Sequence, residues 1–246
     1  MKQKIIIIII ILLTWINIYS QGFDWQYSAR LPFETPTKFW GFDVAGTYIY
    51  NTGDFGFLSN NIPCCTFEDG AGIGFQAGIK YEQWLEGNYS IFSTLAFNYI
   101  PSKFLIESEP HPYRDYEDII TEYEYTSSTS HILFELGGKY RILETHFFVG
   151  AGINVSYLIT EKHDFIERII SEKDFFFNEI KYPNASLAEL NKLYFYPRLI
   201  AGYDLNLGKG KYSSIFISAA PPVHSVISEK NWNRWLFSFG ISTFLF

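Results

Sequence analysis

The sequence predicts an all-β fold, an eight-stranded antiparallel up-and-down transmembrane β-barrel with short turns at one end and long loops at the other. Three observations predict it. Apolar residues recur at every second position, short and long connections alternate, and the side opposite the apolar stripe is built from glycine and from charges of both signs. Successive side chains of a strand point to opposite faces, so a two-residue beat gives each strand one apolar face and one small or polar face. The clearest case runs from His146 to Ile159. There Phe147, Val149, Ala151, Ile153, Val155, Tyr157 and Ile159 alternate with residues that include Gly150, Gly152, Asn154 and Ser156.

In chain order, residues 1–20 read as a signal peptide, 21–38 as a periplasmic lead-in and 39–246 as the barrel. Lys2 and Lys4 precede an apolar run from Ile5 to Leu13 and a more polar stretch ending Tyr19-Ser20-Gln21, the layout of a cleavable export signal. The run is short for a spanning helix, which needs about 20 apolar residues. Cleavage is expected near Ser20, although Ile18 breaks a small-x-small pattern, and no Cys follows to carry a lipid anchor. No later apolar stretch approaches helix-spanning length, whereas a tilted barrel strand needs only about 9 to 11 residues.

The strands are expected at Phe39 to Tyr50, Ala71 to Trp84, Tyr89 to Ile100, Ser130 to Ile142, His146 to Ile159, Leu193 to Leu207, Tyr212 to Ala220 and Trp232 to Phe246. In the first, Trp40, Phe42, Val44, Tyr48 and Tyr50 alternate with Gly41, Asp43, Ala45 and Thr47. In the fourth, Ile132, Phe134, Leu136, Tyr140 and Ile142 alternate with His131, Glu135, Gly137, Lys139 and Arg141. Tight turns are predicted at Leu85–Asn88, Leu143–Thr145 and Gly208–Lys211, where Gly, Asn or charge suits positive φ or solvent. The remaining connections, Asn51 to Gly70, Pro101 to Thr129, Thr160 to Lys192 and Pro221 to Asn231, are long. Short periplasmic turns and long external loops are what an even-stranded barrel with both termini in the periplasm has.

Alternation alone does not say which face is outside. The non-greasy face decides it, because Gly72, Gly74, Gly78, Gly137, Gly150, Gly152, Gly202 and Gly240 fall there, and a narrow eight-stranded interior has room mainly for small or paired polar residues. A water-facing exterior would carry many Lys, Glu and Thr instead. The interior set includes Asp43, Gln76, Lys80, Glu82, Glu135, Lys139, Arg141, Arg198, Asp204 and Arg234. With both signs in comparable number, an ion-pair network that plugs the lumen is expected; a selective pore would need a wider barrel.

Aromatics make up 20% of the chain, and Tyr and Trp favour membrane interfaces where a ring is half wet. Mean hydropathy is +0.01. Removing Lys2 and Lys4 leaves 17 basic against 26 acidic residues, a net of −9, which argues against nucleic acid as a partner. Cys64 and Cys65 are adjacent and cannot staple distant parts of the chain. A vicinal disulfide, a reduced pair and a metal-bound pair all remain compatible with them.

The chain resembles the outer membrane protein β-barrel domain of Bacteroidetes-type bacteria, including PorT-like proteins. The likeness rests on the Ser-Gln ending of the signal, the hairpin HILFELGGKYRILETHFFVGAGINVSY from His131 to Tyr157, and the terminal strand WLFSFGISTFLF. It implies an outer-membrane location, contact with outer-membrane lipid and lipopolysaccharide, and a terminal aromatic, here Phe246, read by the barrel-assembly machinery. One departure stands out. Trp235, Phe237, Phe239 and Ile241 have the opposite parity to Phe244 and Phe246, so a β-bulge near Ser242 or Thr243 is needed to turn Phe246 outward.

Some small outer-membrane barrels are lipid-A-modifying enzymes or proteases. His111, His163 and His224 are expected in or beside external loops, His131 near the outer end of a strand and His146 at a periplasmic turn. Ser225 follows His224 and Glu229 is close in sequence, but a triad is defined by geometry in space. Glu107, Glu109, Asp115, Glu117, Asp118, Glu122 and Glu124, with tyrosines between them, read as a solvated acidic loop or a protein-binding surface and match no EF-hand spacing. The third long connection, with Phe165, Ile166, Ile169, Ile170 and Phe175 to Phe177, is expected to fold over the barrel mouth with a short helix within Asn184 to Lys192. No cofactor, metal or catalytic residue is expected, and the external ligand is left open. The expected role is a non-enzymatic barrel in envelope structure or surface binding; the alternatives are a small channel or a lipid- or peptide-modifying enzyme.

Overall fold

The computed structural model describes residues 37–59, 62–85, 88–109, 120–142, 145–170, 179–183, 190–208, 211–227 and 231–245, with the side chains of 55–59, 62–65 and 208 outside that description. The expected signal peptide, most of the expected lead-in, His111, Phe175 to Phe177, Glu229 and Phe246 therefore lie outside the described residues, as do the side chains of Cys64 and Cys65.

Among the described residues nine strands form: β1 (Lys38–Ser59), β2 (Ile62–Trp84), β3 (Tyr89–Glu107), β4 (Thr121–Arg141), β5 (Phe147–Ile169), β6 (Glu179–Pro183), β7 (Leu193–Gly208), β8 (Lys211–Ala220) and β9 (Asn231–Phe244). All neighbours are antiparallel. The hydrogen-bonded order β4-β3-β2-β1-β9-β8-β7-β5, with an added β4–β5 pairing, closes the sheet into a ring of eight strands. The ninth, β6, pairs with Asp164 to Arg168 on the outer part of β5, beyond the stretch of β5 that pairs with β7.

The alternation expected from sequence is the alternation seen. Trp40, Phe42, Val44, Ile73, Phe75, Leu95, Phe134, Ile153, Leu199, Ile217 and Phe239 point out, with Ile73 79% and Ile153 63% exposed. Their strand neighbours Asp43, Gln76, Thr94, Glu135, Asn154, Arg198 and Ser242 point in and are buried. At the turn end of the ring the outward face carries paired aromatics: Trp40 with Tyr81 at 4.8 Å, Tyr89 with Tyr140 at 4.7 Å and Phe147 with Tyr203 at 4.9 Å. This is the arrangement of an interfacial girdle.

The expected strands are extended at their loop ends. Segments read as loops, Asn51 to Gly70, Pro101 to Thr129 and the start of Thr160 to Lys192, are largely continuations of β1 to β5 that stand above the ring as paired hairpins. Irregularities hid them. The β4–β5 register slips between Ser130 and His131, leaving Ile159 as an extra residue on β5. The slip reverses parity, so even-numbered Phe148, Asn154 and Ser156 face in below it and odd-numbered His163 and Phe165 face in above it. A similar shift between Thr52 and Phe55 interrupts β1.

Two further expectations are corrected. The β1–β9 and β8–β9 registers run unbroken through Ser242 and Thr243, so the bulge expected there is absent among the described residues. Phe244 accordingly lies inside, fully buried with Phe39, Trp84 and Tyr212. The helix expected within Asn184 to Lys192 is not seen in its described part: Leu190 forms a β-bridge with Ile227 and Asn191 bonds to the segment after β8.

Glycines allow the wall to close tightly at a few positions. A Cβ on Gly240 would sit 2.6 Å from the Val44 carbonyl oxygen, the Ala45 Cβ and the Phe216 ring, whereas one on Gly46, in a shallow outward hollow between Tyr48 and Phe239, meets nothing within 4 Å. Gly240→Ala is expected to destabilise the barrel by about 1–3 kcal/mol through overpacking. Gly46→Ala should stay within about 0.5 kcal/mol of the parent. Urea unfolding of vesicle-inserted protein, followed by tryptophan fluorescence, measures both.

Candidate functional site

The ring encloses a filled lumen in which aromatic layers alternate with ion pairs. Phe39, Trp84, Tyr212 and Phe244 close the turn end. Next to them Lys139 donates to Asp204 at 2.8 Å and lies 3.4 Å from Glu82, and Arg141 donates to Asp204 at 2.7 Å. Ser214 donates to Asp204 at 2.6 Å and Ser90 to Glu82 at 2.7 Å. The cations also sit on rings, Lys139 at 4.1 Å from the Phe148 centroid and Arg141 at 4.4 Å from that of Trp84. All of these side chains are nearly or wholly out of solvent.

Farther along the axis Asp43 accepts from Ser242 at 2.6 Å and from Gln76 at 3.0 Å, with the Lys80 ammonium at 3.9 Å. Across from it Arg198 donates to Glu135 at 2.9 Å and to Ser218 at 2.9 Å. Ala45, Phe92, Phe148, Ile200 and Phe216 fill one level of the lumen, and Ile49, Ile100, Ala220 and Leu236 another. The structure thus places Asp43, Lys80, Glu82, Glu135, Lys139, Arg141, Arg198, Asp204 and Arg234 all inside and brings the first eight into ion pairs.

Arg234 belongs to a different set. Its Nε donates to Asn51 Oδ1 at 3.3 Å, which also accepts from Trp232 Nε1 at 2.9 Å, while Asn51 Nδ2 donates to Ser102 at 3.0 Å and to the Gly70 carbonyl at 3.3 Å. Asn51 opens the connection expected from Asn51 to Gly70, yet it lies in β1 and faces the interior. Its parity, continuous with Asp43, Thr47 and Ile49, was the signal that it faces inward. The serines at 90, 214 and 242 carry the same signal.

Above this level lies an apolar core of Phe67, Phe104, Tyr125, Phe165, Leu190, Tyr194, Val226, Ile227 and Trp232. Val226 and Ile227 come from the segment after β8, which turns back into the mouth and is pinned by Ser225, whose hydroxyl takes the Trp232 N–H at 2.9 Å and the Ile227 N–H at 3.3 Å. His224 stacks on Tyr194 with centroids 5.8 Å apart. Ser225 and His224 thus have structural engagements in this loop. His131 contacts Thr129 at 3.0 Å, and His146 sits beside Tyr203 at the turn end.

The described part of the acidic connection is also structured. Glu122 pairs with Arg168 at 2.6 Å, Glu124 with Lys103 at 3.0 Å, and Arg168 reaches Glu179 of β6 at 3.4 Å. Lys181 first, and Arg168 after it, hold the Glu179 carboxyl below its usual range. Among the described residues no group of three or more His, Cys, Asp or Glu is placed to hold a metal.

No family model matches the chain, and no curated protein matches it. Solved structures do. Ail, the attachment invasion locus protein of Yersinia pestis, is 10% identical over 85% of this chain and 100% of its own, with a TM-score of 0.35. The outer membrane protease OmpT from Escherichia coli is 10% identical over 85% of this chain and 96% of its own, at 0.35. OprG from Pseudomonas aeruginosa is 10% identical over 83% of this chain and 95% of its own, at 0.32. At this identity the likeness is one of strand architecture alone.

Two outcomes follow from the site. Arg198→Met leaves the Glu135 carboxylate buried without its partner and is expected to cost about 3–5 kcal/mol, whereas Arg198→Met combined with Glu135→Gln should cost clearly less than the two single changes added together. A double-mutant cycle in urea reads the difference.

The second concerns His163, which lies 2.7 Å from the Tyr125 hydroxyl through Nδ1 in the outer hairpins. Burial lowers its pKa from 6.5; Glu161 opposes this, Arg234 adds to it and Asp164 opposes it. The unfolded imidazole takes up a proton from about pH 6.5 downward while the folded one resists, so this stabilisation is complete above that pH and is lost as pH falls through the lowered folded value. Amide exchange of Thr121 to Ser127, corrected for intrinsic rates, should therefore accelerate between pH 7 and 5. His163→Gln should flatten the dependence.

Proposed function

We propose that the protein is an integral outer-membrane barrel, closed to ions and without catalytic activity, whose outer hairpins bind a partner outside the cell or brace the envelope. The observation that carries this reading is the sorting of side chains: an apolar outward band encircles the ring while the paired charges of the wall lie inside it. In water such a band would be an exposed apolar surface far larger than soluble monomers carry, and in lipid it is the expected exterior. Closure supports the same location, because a lipid-embedded backbone must satisfy every N–H and C=O within the protein.

In this reading outer-membrane lipid and lipopolysaccharide surround the band, and the barrel-assembly machinery inserts the chain after removal of residues 1–20. Membership of the PorT-like Bacteroidetes group is part of the proposal, supported by the His131 to Tyr157 hairpin and the terminal strand. The role of Phe246 as the assembly tag rests on that likeness alone, since the unbroken β9 register keeps Phe244 on the inward face. Filling of the lumen by ion pairs and rings favours a plug over a channel, and the engagement of Ser225 with backbone favours a structural role for the loop that carries it.

Single cysteines in a Cys64→Ser, Cys65→Ser background test the placement. Lys181→Cys, on exposed β6, should react with a membrane-impermeant maleimide in whole cells, and Lys211→Cys, at a turn, only after lysis. The reverse pattern, or recovery of the protein in the soluble fraction, would overturn the reading. In planar bilayers the purified protein should give no steady unit conductance; reproducible steps would replace the plug with a channel.

A further inference from the structure

Among the described residues the charges inside the barrel do not balance. Five buried cations, Lys80, Lys139, Arg141, Arg198 and Arg234, face four buried carboxylates, Asp43, Glu82, Glu135 and Asp204. Every one of those carboxylates is engaged by Lys80, Lys139, Arg141 or Arg198. Arg234 has no carboxylate in ion-pair range among the described residues; its guanidinium donates to Asn51 Oδ1 at 3.3 Å and lies 5.3 Å from the Trp232 ring centroid. A guanidinium taken out of water without an opposite charge costs several kcal/mol, so a buried arginine in this position calls for a counter-charge.

The space for one is present. A cavity of about 40 Å³ lies beside Arg234, lined also by His131, Ser156, Tyr194 and Tyr196 and, from the segment after β8, by His224. A single water needs about 10–15 Å³ of such space, so the hollow has room for an ion of halide size together with a water. Three of the lining residues have buried polar atoms with no hydrogen-bond partner in the structure: Arg234 Nη2, Ser156 Oγ and His131 Nδ1. Buried polar atoms are rarely left bare, so three of them on residues that line one hollow make it a candidate ligand position. The Thr129 hydroxyl donates to the Ile100 carbonyl at 3.2 Å and so accepts from His131 Nε2, which leaves Nδ1 of the neutral ring as an acceptor. Two donors, one of them cationic, with an acceptor beside them suit a small anion next to one ordered water.

We propose that this hollow is a binding site for one small monovalent anion of halide or formate size, held by Arg234 Nη2 and Ser156 Oγ, with His131 Nδ1 ordering the adjacent water. One negative charge brings the five cations to balance. Pro222, Val223 and His224 line the site from the external side, so the ion sits directly beneath the segment that closes the mouth.

Bromide is the probe. Crystals of the wild-type protein grown in sodium bromide should show an anomalous peak within hydrogen-bonding distance of Arg234 Nη2. In detergent at constant ionic strength, replacing gluconate, which is too large to enter, with bromide should raise the thermal midpoint of the wild type. Arg234→Gln should make the bromide dependence about tenfold or more weaker, the loss of one charge-assisted contact. Ser156→Ala, which keeps the charge, should weaken it less. The crystallographic arm needs no variant and stands even where Arg234→Gln fails to fold. Bromide peaks only at the surface, or identical midpoints in the two salts, would overturn the proposal.

Discussion

Closure of the sheet is the constraint on which the rest depends. Pairing β4 with β5 and β1 with β9 removes every edge from the ring, and it also commits each residue of the wall to one of two faces. A residue that misses its face by one position exchanges surroundings entirely, so the two-residue beat is enforced strand by strand. The same closure fixes the width of the interior. Eight strands leave space for side chains and little else, which is why glycines such as Gly78, Gly202 and Gly240 line the inside where rings and backbone approach closely.

Filling that interior with charge is costly unless each ion is matched. Lys139, Arg141, Asp204 and Glu82 succeed because serine hydroxyls supply further hydrogen bonds and aromatic faces lie against the cations. The aromatic layers exclude water, which strengthens each pair and raises the penalty for breaking one. The pairs also connect strands far apart in sequence: Arg198 on β7 meets Glu135 on β4, and Lys139 on β4 meets Asp204 on β7. They therefore fix which side chains meet across the barrel as well as balancing charge. Arg234 departs from this pattern through its dependence on Asn51 and Trp232.

The wall was legible in the sequence because its signal is local. From Trp40 to Tyr50 or from Phe147 to Tyr157, parity alone says which residue faces lipid or lumen, and the ten lumen residues named from it are all buried. Pair identities were not legible, since Lys139 meets Asp204 only through the ring geometry. The outer hairpins were hidden for a different reason. One extra residue at Ile159 reverses the beat, and a periodic reading stops where the period does. The inward turn of Val226 and Ile227 carries no periodic signal, as it follows Pro221-Pro222 and depends on Ser225 meeting backbone from β9.

The outer hairpins bear on what such a barrel can do outside the membrane. Loops free to move lose conformational entropy when a partner binds, and that loss is subtracted from affinity. Here β1 to β5 continue as sheet above the ring, their inward side packs Phe67, Phe104, Tyr125 and Phe165 against Trp232, and Arg168 ties β4, β5 and β6 together through Glu122 and Glu179. The described part of these hairpins is therefore held by sheet and core, as the proposed binding role would need. Rigidity of this kind favours recognition of a fixed shape over adaptation to many, and it comes from the bulge at Ile159, which turns His163 and Phe165 inward and gives the hairpins a core of their own.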